Sequence, residues 1–336
     1  MFRPLLRLQP PLHPQITRRI WTLSTTPPLI LAPVVFTGLT LTLWSYKCLM
    51  MILFQSRIIY MPGIPLGART EKISDYSAYC RGIRWKEGKI HVDDGTVLAT
   101  ASATVNNSRE KEKELVVVYF QGNASSTPPR LPRLSSILAS LPCATTMVIP
   151  SYRGYWFSTG RPSQRGIERD LAAIFKHLRE DFGGADKGIV LWGQSIGCGI
   201  LMEGLAKYPL PNVTALVLET PFVSIEEMLK ALYPQKWLPY RYLGWALWNR
   251  WELLVALKRI LSRGWRGQVL VLQAGGDELV PAEQAGKIAE FAREAGVPVA
   301  EEKVEGALHV ECMAKPRGRK AVVDFLGRIH RDIQWR

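Results

Sequence analysis

Between two apolar stretches sits the pentapeptide Gly193-Gln194-Ser195-Ile196-Gly197. The run Gly188 to Trp192 before it has the character of a buried strand, and Cys198 to Lys207 after it is a small-residue stretch compatible with a helix. A chain that passes from strand to helix through one serine must turn tightly. It strains the backbone at the serine and leaves no room for side chains two positions to either side. Gly193 and Gly197 meet that demand. The turn holds the Ser195 hydroxyl at the end of the strand, with the unpaired N–H groups and the positive end of the next helix behind it. Five residues alone also match an ordinary strand-to-helix turn, so the rest of the chain has to decide between the two.

Downstream of residue 114 the chain alternates strand-like and helix-like text. Leu115 to Phe120 is an apolar, β-branched run that suits a buried parallel strand. Thr145 to Pro150, Val213 to Leu218 and Val269 to Leu272 read as further strands, and Val297 to Val304 as the last. Leu131 to Ser140, residues 281–295 and residues 315–331 suit helices, and Gln164 to Phe182 carries Ile167, Leu171, Ile174, Phe175 and Leu178 on one face. Further upstream, Arg84 to Val92 and Thr96 to Val105 flank Asp93-Asp94-Gly95, a hairpin signal. The alternation predicts a mostly parallel, doubly wound sheet with its ligand at the carboxyl ends of the strands.

Two stretches break this rhythm. Residues 221–265 hold Trp237, Trp245, Trp248, Trp251 and Trp265 with Tyr233, Tyr240 and Tyr242, and read as a helical cap inserted over the strand ends. Such a cap lines an apolar pocket or touches a membrane, although at least half of these aromatics are expected simply to pack it on the core. The other exception is the N-terminus. Leu29 to Tyr46 is an uncharged run of 18 residues, and after Lys47 the apolar text continues to Phe54. Eighteen helical residues rise about 27 Å against a bilayer core of about 30 Å, enough to span if the lysine snorkels. The predicted organisation is a basic tail over 1–28, a transmembrane helix over 29–54, a connector over 55–80 and a catalytic-type domain over 81–336.

Charge supports the membrane rather than nucleic acid. The net charge is +14, but residues 1–70 carry seven basic residues and no acidic one, so half of the excess lies in the N-terminal fifth. No zinc-finger spacing, RNP-like motif or Walker loop is present. Residues 1–25 also have the Arg-rich, acid-free look of a mitochondrial presequence. The compartment expected is therefore an endomembrane, the endoplasmic reticulum, with a mitochondrial membrane as the alternative. Basic residues on the two sides of the span are balanced, which leaves topology open. The five cysteines have neither metal nor redox spacing and read as free thiols; no metal or cofactor is expected.

A serine hydroxyl needs a base, and the base needs an orienting carboxylate. Of the five histidines, His13, His91, His177 and His330 fall before the apolar run, in the hairpin and in two helices. His309 alone lies in a loop after the last strand. Asp277 follows the Val269–Leu272 strand through Ala274-Gly275-Gly276, with Glu219 at the end of the previous strand as the second choice of acid. An oxyanion hole takes two backbone N–H groups. Ile196 supplies one, and Asn123, beside the permissive Gly122, supplies the other. Asn123 also heads a glycosylation sequon with Ser125, and a glycan there would block the site, so it is expected to be unmodified.

At these residues the chain resembles membrane-anchored serine hydrolases of the α/β-hydrolase family, a group that includes depalmitoylases, lysophospholipid lipases and serine-aminopeptidase-like domains. The resemblance covers about residues 50–330. It rests on Gly122-Asn123-Ala124, Tyr152-Arg153-Gly154-Tyr155, the Ser195 pentapeptide, Glu219-Thr220-Pro221-Phe222, Asp277-Glu278-Leu279-Val280-Pro281 and Gly306 to His309. The order Ser…Asp…His matches that family. Departures occur at Gln121, where a histidine is usual, at Trp156 and Ala274, where glycines are usual, and at Val310-Glu311. The resemblance implies an α/β-hydrolase fold and a Ser195–His309–Asp277 triad. It also implies lipid or acylated-protein esters or thioesters as substrates. An aminopeptidase-like activity and an idle membrane scaffold are the competing expectations.

Overall fold

The computed structural model of the protein describes residues 28–106 and 113–334. The basic tail and presequence expected over the first 27 residues lie outside the described residues, as do Asn107 and Ser108 of the sequon at Asn106. The chain divides into two compact units, Met1–Leu49 and Met50–Arg336. The described part of the first unit lies wholly in helix α1, Pro28–Leu53, whose last turn belongs to the second. Its 26 residues rise roughly 39 Å, so it is long and apolar enough to cross a membrane. The Thr40 and Thr42 hydroxyls donate back to the carbonyls of Phe36 and Gly38, which satisfies them without water.

The second unit is built on an eight-stranded sheet: β1 Lys86–His91, β2 Val97–Val105, β3 Glu114–Phe120, β4 Thr145–Pro150, β5 Lys187–Gln194, β6 Val213–Glu219, β7 Gln268–Ala274 and β8 Val299–Val304. Their order is β1-β2-β4-β3-β5-β6-β7-β8. The hairpin strands β1 and β2 pair antiparallel, β2 runs antiparallel to β4, and every pairing from β4 to β8 is parallel. Because side chains alternate along a strand, the buried strands feed two cores. Val116, Val118 and Phe120 of β3 meet α4 (Gln164–Phe182), α5 (Ile196–Lys207) and α8 (Ala282–Glu294) on one face. Leu115, Val117 and Tyr119 meet α3 (Leu131–Leu138) and α9 (Pro316–Gln334) on the other. Arg153, from the Tyr-Arg-Gly-Tyr motif, is structural. Its guanidinium joins Asp170 of α4 at 2.7 Å to Asp94 of the hairpin turn at 3.0 Å.

The cap is narrower than the aromatic composition predicts. It comprises α6, Ile225–Leu232, and a 3-10 segment, Pro239–Ala246. Helix α7, Leu253–Ser262, instead joins the sheet's helical layer through buried Leu253, Ala256, Leu257, Ile260 and Leu261. The aromatics divide accordingly. Trp251 and Tyr240 are buried and Trp265 packs partly against the core, whereas Trp237, Tyr242, Trp245 and Trp248 are exposed.

The stretch read as a connector is part of the domain's packing. It opens with α2, Gln55–Ile59, and contains a 3-10 helix, Ile73–Tyr79. Gln55 and Tyr60 are buried against the cap's far end. The Tyr60 hydroxyl accepts from Trp251 Nε1 at 2.7 Å and donates to Asn249 Oδ1 at 3.1 Å. Trp156, where the resembling family has glycine, takes a positive φ of 46° and donates its Nε1 proton to the Glu71 carbonyl of this stretch.

Candidate active site

Strand β5 delivers Ser195 at φ 51°, ψ −120°, a left-handed conformation that costs a non-glycine residue about 1–3 kcal/mol. Two things hold it there. The Ser195 N–H donates to the Glu219 carbonyl at 2.8 Å, and the Ser195 carbonyl accepts from the Cys198 N–H at 2.9 Å as α5 begins. The flanking glycines are required by contact. A Cβ at Gly193 would stand 2.4 Å from Leu201 Cδ2 and 2.7 Å from the Cys198 backbone, and one at Gly197 would stand 2.1 Å from the Phe120 carbonyl oxygen.

The loop after β8 brings His309 to the same strand ends. His309 Nε2 lies 2.8 Å from Ser195 Oγ. Its Nδ1 lies 2.9 Å and 3.0 Å from the two Asp277 carboxylate oxygens. Burial pushes the Asp277 carboxyl up, but hydrogen bonds from His309 and from the Val280 and Leu279 N–H groups outweigh it and hold it below its ordinary value. An ionised Asp277 accepts a hydrogen bond from Nδ1–H, which keeps the ring proton on Nδ1 and leaves Nε2 free to accept from the serine. Glu278 neighbours the triad without joining it. Its Oε2 accepts the His309 backbone N–H at 3.0 Å and fixes the loop, a role that the sequence does not announce.

Glu219, the second choice of acid, does not bond to His309. Its carboxylate sits behind the turn, where it accepts from Trp192 Nε1 and Gln194 Nε2, each at 3.1 Å. Gln194 in turn accepts from Arg130, which also bonds the Ala124 carbonyl in the loop after β3. Burial raises the Glu219 carboxyl to about 7, against the hydrogen bonds from Gln194 and Trp192 and the nearby charge of Arg130. The folded value lies above the unfolded 4.5, so this group's stabilisation is complete below pH 4.5 and is lost as pH rises through about 7. The loss amounts to roughly 3 kcal/mol. The melting-temperature difference, wild type minus Glu219→Gln, therefore falls between pH 5 and pH 8; a difference that stays constant would show that Glu219 is ionised throughout.

Asn123 and Ile196 both border the cavity beside Ser195. As the first residue of α5, Ile196 has no in-helix acceptor for its N–H. The Asn123 side chain makes three hydrogen bonds: Oδ1 accepts from the Met61 N–H and the Tyr155 hydroxyl, and Nδ2 donates to the Ile59 carbonyl at 2.6 Å. These bonds strap the 59–61 segment across the site. Ala124 and Ser125 follow with φ of 58° and 60°.

The cavity measures about 420 Å³, within the range of small-ligand pockets. Met51, Ile52, Ile58 and Ile59 form one wall and α6 with Leu243, Ala246 and Leu247 another. None of its lining residues is Asp, Glu, Lys or Arg. Sequence reading missed the first of these walls entirely. No cluster of metal-ligating residues occurs among the described residues, and the described cysteines form no disulfide, Cys80, Cys143, Cys198 and Cys312 being buried.

No protein-family model matches the chain. It is 27% identical over 231 residues to protein bem46 of Schizosaccharomyces pombe, covering 69% of this chain and 72% of that protein. It is 28% identical over 240 residues to the α/β hydrolase domain-containing protein WAV2 of Arabidopsis thaliana, covering 69% and 73%. Lysophosphatidylserine lipase ABHD12 of Danio rerio is 30% identical over 186 residues, covering 53% and 47%. Among solved structures, an α/β hydrolase from Vibrio vulnificus aligns with a TM-score of 0.59 at 18% identity, over 82% of this chain and 91% of that one. The Pyrococcus furiosus esterase Pf2001 aligns with a TM-score of 0.56, also at 18%, over 77% and 94%. With this strand order, a serine at the β5 turn and these solved neighbours, the chain has the α/β-hydrolase fold, and an α/β-hydrolase-domain protein is among the relatives it is similar to.

Proposed function

We propose that this protein is a single-pass membrane serine hydrolase that cleaves long-chain acyl esters or thioesters through an acyl-Ser195 intermediate. The observation that carries this reading is the Ser195–His309–Asp277 hydrogen-bond chain opening into an uncharged apolar cavity. Ser195 Oγ attacks the acyl carbonyl as its proton passes to His309 Nε2. The tetrahedral oxyanion is held by the Ile196 and Asn123 backbone N–H groups. The intermediate collapses, His309 gives its proton to the departing alkoxide or thiolate, and the acyl group stays on Ser195. Water, deprotonated by His309, then releases the fatty acid and restores the serine. Each oxyanion donor contributes roughly 3–4 kcal/mol to the transition state.

Lysolipids and S-acylated proteins are the substrate classes that fit such a cavity. The lysophosphatidylserine lipase among the relatives supports the former. A peptidase that grips a free amino terminus needs a carboxylate in the pocket, and the lining has none. The membrane reading rests on α1, and an endomembrane (endoplasmic reticulum) remains the favoured compartment over a mitochondrial one.

A fluorophosphonate probe tests the chemistry. It is expected to label the wild-type chain and to spare Ser195→Ala. Absence of label on the wild type, or equal label on both, returns the protein to the idle-scaffold reading.

A further inference from the structure

The cap's outer surface is chemically unlike the rest of the domain. Trp245 is 77% exposed, Trp248 53% and Tyr242 58%, all within seven residues of chain. A water-facing domain normally buries such side chains, and a cluster of them marks an interaction surface. Between Tyr233 and Trp251 there is no acidic residue, while Lys236, Arg241 and Arg250 are basic. Arg241 is held inward by the carbonyls of Lys230 and Tyr233, which leaves Lys236 and Arg250 exposed.

This surface is the outside of the cavity wall. Leu243, Ala246 and Leu247 line the cavity, and Trp245 and Trp248, interleaved with them, face out. The wall is pinned by Gln55. Its Nε2 donates to the Ala246 carbonyl at 3.1 Å, and its Oε1 accepts from the Trp248 and Asn249 N–H groups at 2.9 and 3.1 Å. Gln55 stands two residues beyond Leu53, the end of the apolar helix. At the cavity itself Ile58, Leu232, Leu279 and Val310 are lining residues that are also about half exposed.

A carboxylate does pack on this stretch, Glu226 against Gly244, and it is neutralised by Lys230 at 2.9 Å. Aromatic side chains mixed with lysine and arginine are the composition that seats at the boundary between lipid headgroups and acyl chains. We propose that Tyr242, Trp245 and Trp248, flanked by Lys236 and Arg250, dock the cap on an anionic lipid surface and hold the cavity's apolar opening against the bilayer. An acyl chain then passes from lipid to Ser195 without crossing water. The docking rests on the membrane reading of α1, and the passage rests on the hydrolase reading.

The full chain reconstituted in phosphatidylcholine–phosphatidylserine vesicles tests this. In a Trp44→Phe background, lipids brominated near the headgroup are expected to quench tryptophan emission, and Trp245→Phe with Trp248→Phe to remove much of that quenching. Trp245→Ser with Trp248→Ser is expected to lower kcat/KM about tenfold, or ~1.4 kcal/mol, on a long-chain ester in the bilayer. Hydrolysis of a water-soluble butyrate ester should be unchanged. Equal quenching with and without the two tryptophans overturns the proposal. So does an unchanged rate on the bilayer substrate, or a cross-link to a second copy that the substitutions abolish. A wild type inert toward both esters fails the hydrolase reading instead, and the quenching comparison still decides the docking.

Discussion

Asp277→Asn is expected to lower kcat by about four orders of magnitude while leaving the protein folded. The surrounding donors dictate the outcome. Asp277 Oδ1 accepts from the Leu279 and Val280 N–H groups at 3.0 and 2.8 Å, so an asparagine must keep its carbonyl oxygen there. Its NH2 group then takes the place of Oδ2, 2.9 Å from His309 Nδ1. Two donors cannot share that contact, so Nδ1 becomes the acceptor and the ring proton moves to Nε2. The Nε2 proton then points at Ser195 Oγ, and the base has no lone pair with which to take the serine proton. Steady-state hydrolysis of a soluble ester, read beside a melting curve, checks this. A folded variant that keeps more than about a tenth of the wild-type kcat would mean that Asp277 does not orient the imidazole.

Gly197→Ala is expected to be more damaging than its single methyl suggests. Ordinary overpacking costs about 1–3 kcal/mol because side chains can yield. Here the added Cβ would lie 2.1 Å from the Phe120 carbonyl oxygen and 2.7 Å from that of Gln121, both backbone atoms where β3 ends. Relief requires β3 and the start of α5 to separate, which carries Asn123 away from Ser195. The expected result is no stable folded protein, or a folded one without esterase activity and with a strongly lowered melting temperature. Gly286→Ala is the matched control, since a Cβ there meets nothing within 4 Å. Wild-type activity and melting in the Gly197 variant would show that the turn is looser than these contacts require.

What could be read from the sequence follows from how locally each feature is encoded. The juxtaposition of Ser195, Asp277 and His309 was legible because each ends or follows a strand in a regular alternation, and parallel strands present their carboxyl ends on one edge. β4 and α4 were also legible to the residue, through a continuous apolar run and a clean helical face. Helix α7 was not, because Leu253, Ala256, Leu257 and Ile260 lie in a stretch whose tryptophans dominated the composition and masked the helical period. The wall formed by residues 51–61 left no local signal at all. Gln55 and Tyr60 are held by partners about 190 residues away, and hydrogen bonds of that reach have no period to read. Glu278 is a similar case, since nothing in Asp277-Glu278 says that the second carboxylate takes a backbone N–H of the histidine loop.

The wall formed by residues 51–61 has a further consequence, for how this protein can be processed. In a modular design an anchor can be clipped away and a working enzyme released. Here Met51, Ile52, Ile58 and Ile59 line the cavity, and Asn123 ties down the chain at Ile59 and Met61. On the proposed reading of α1 as a membrane anchor, a protease that cut anywhere from Met51 to Met61 would part the domain from residues that wall its cavity as well as from α1. A soluble form that keeps its site has to be severed upstream of Met51, within the apolar helix itself.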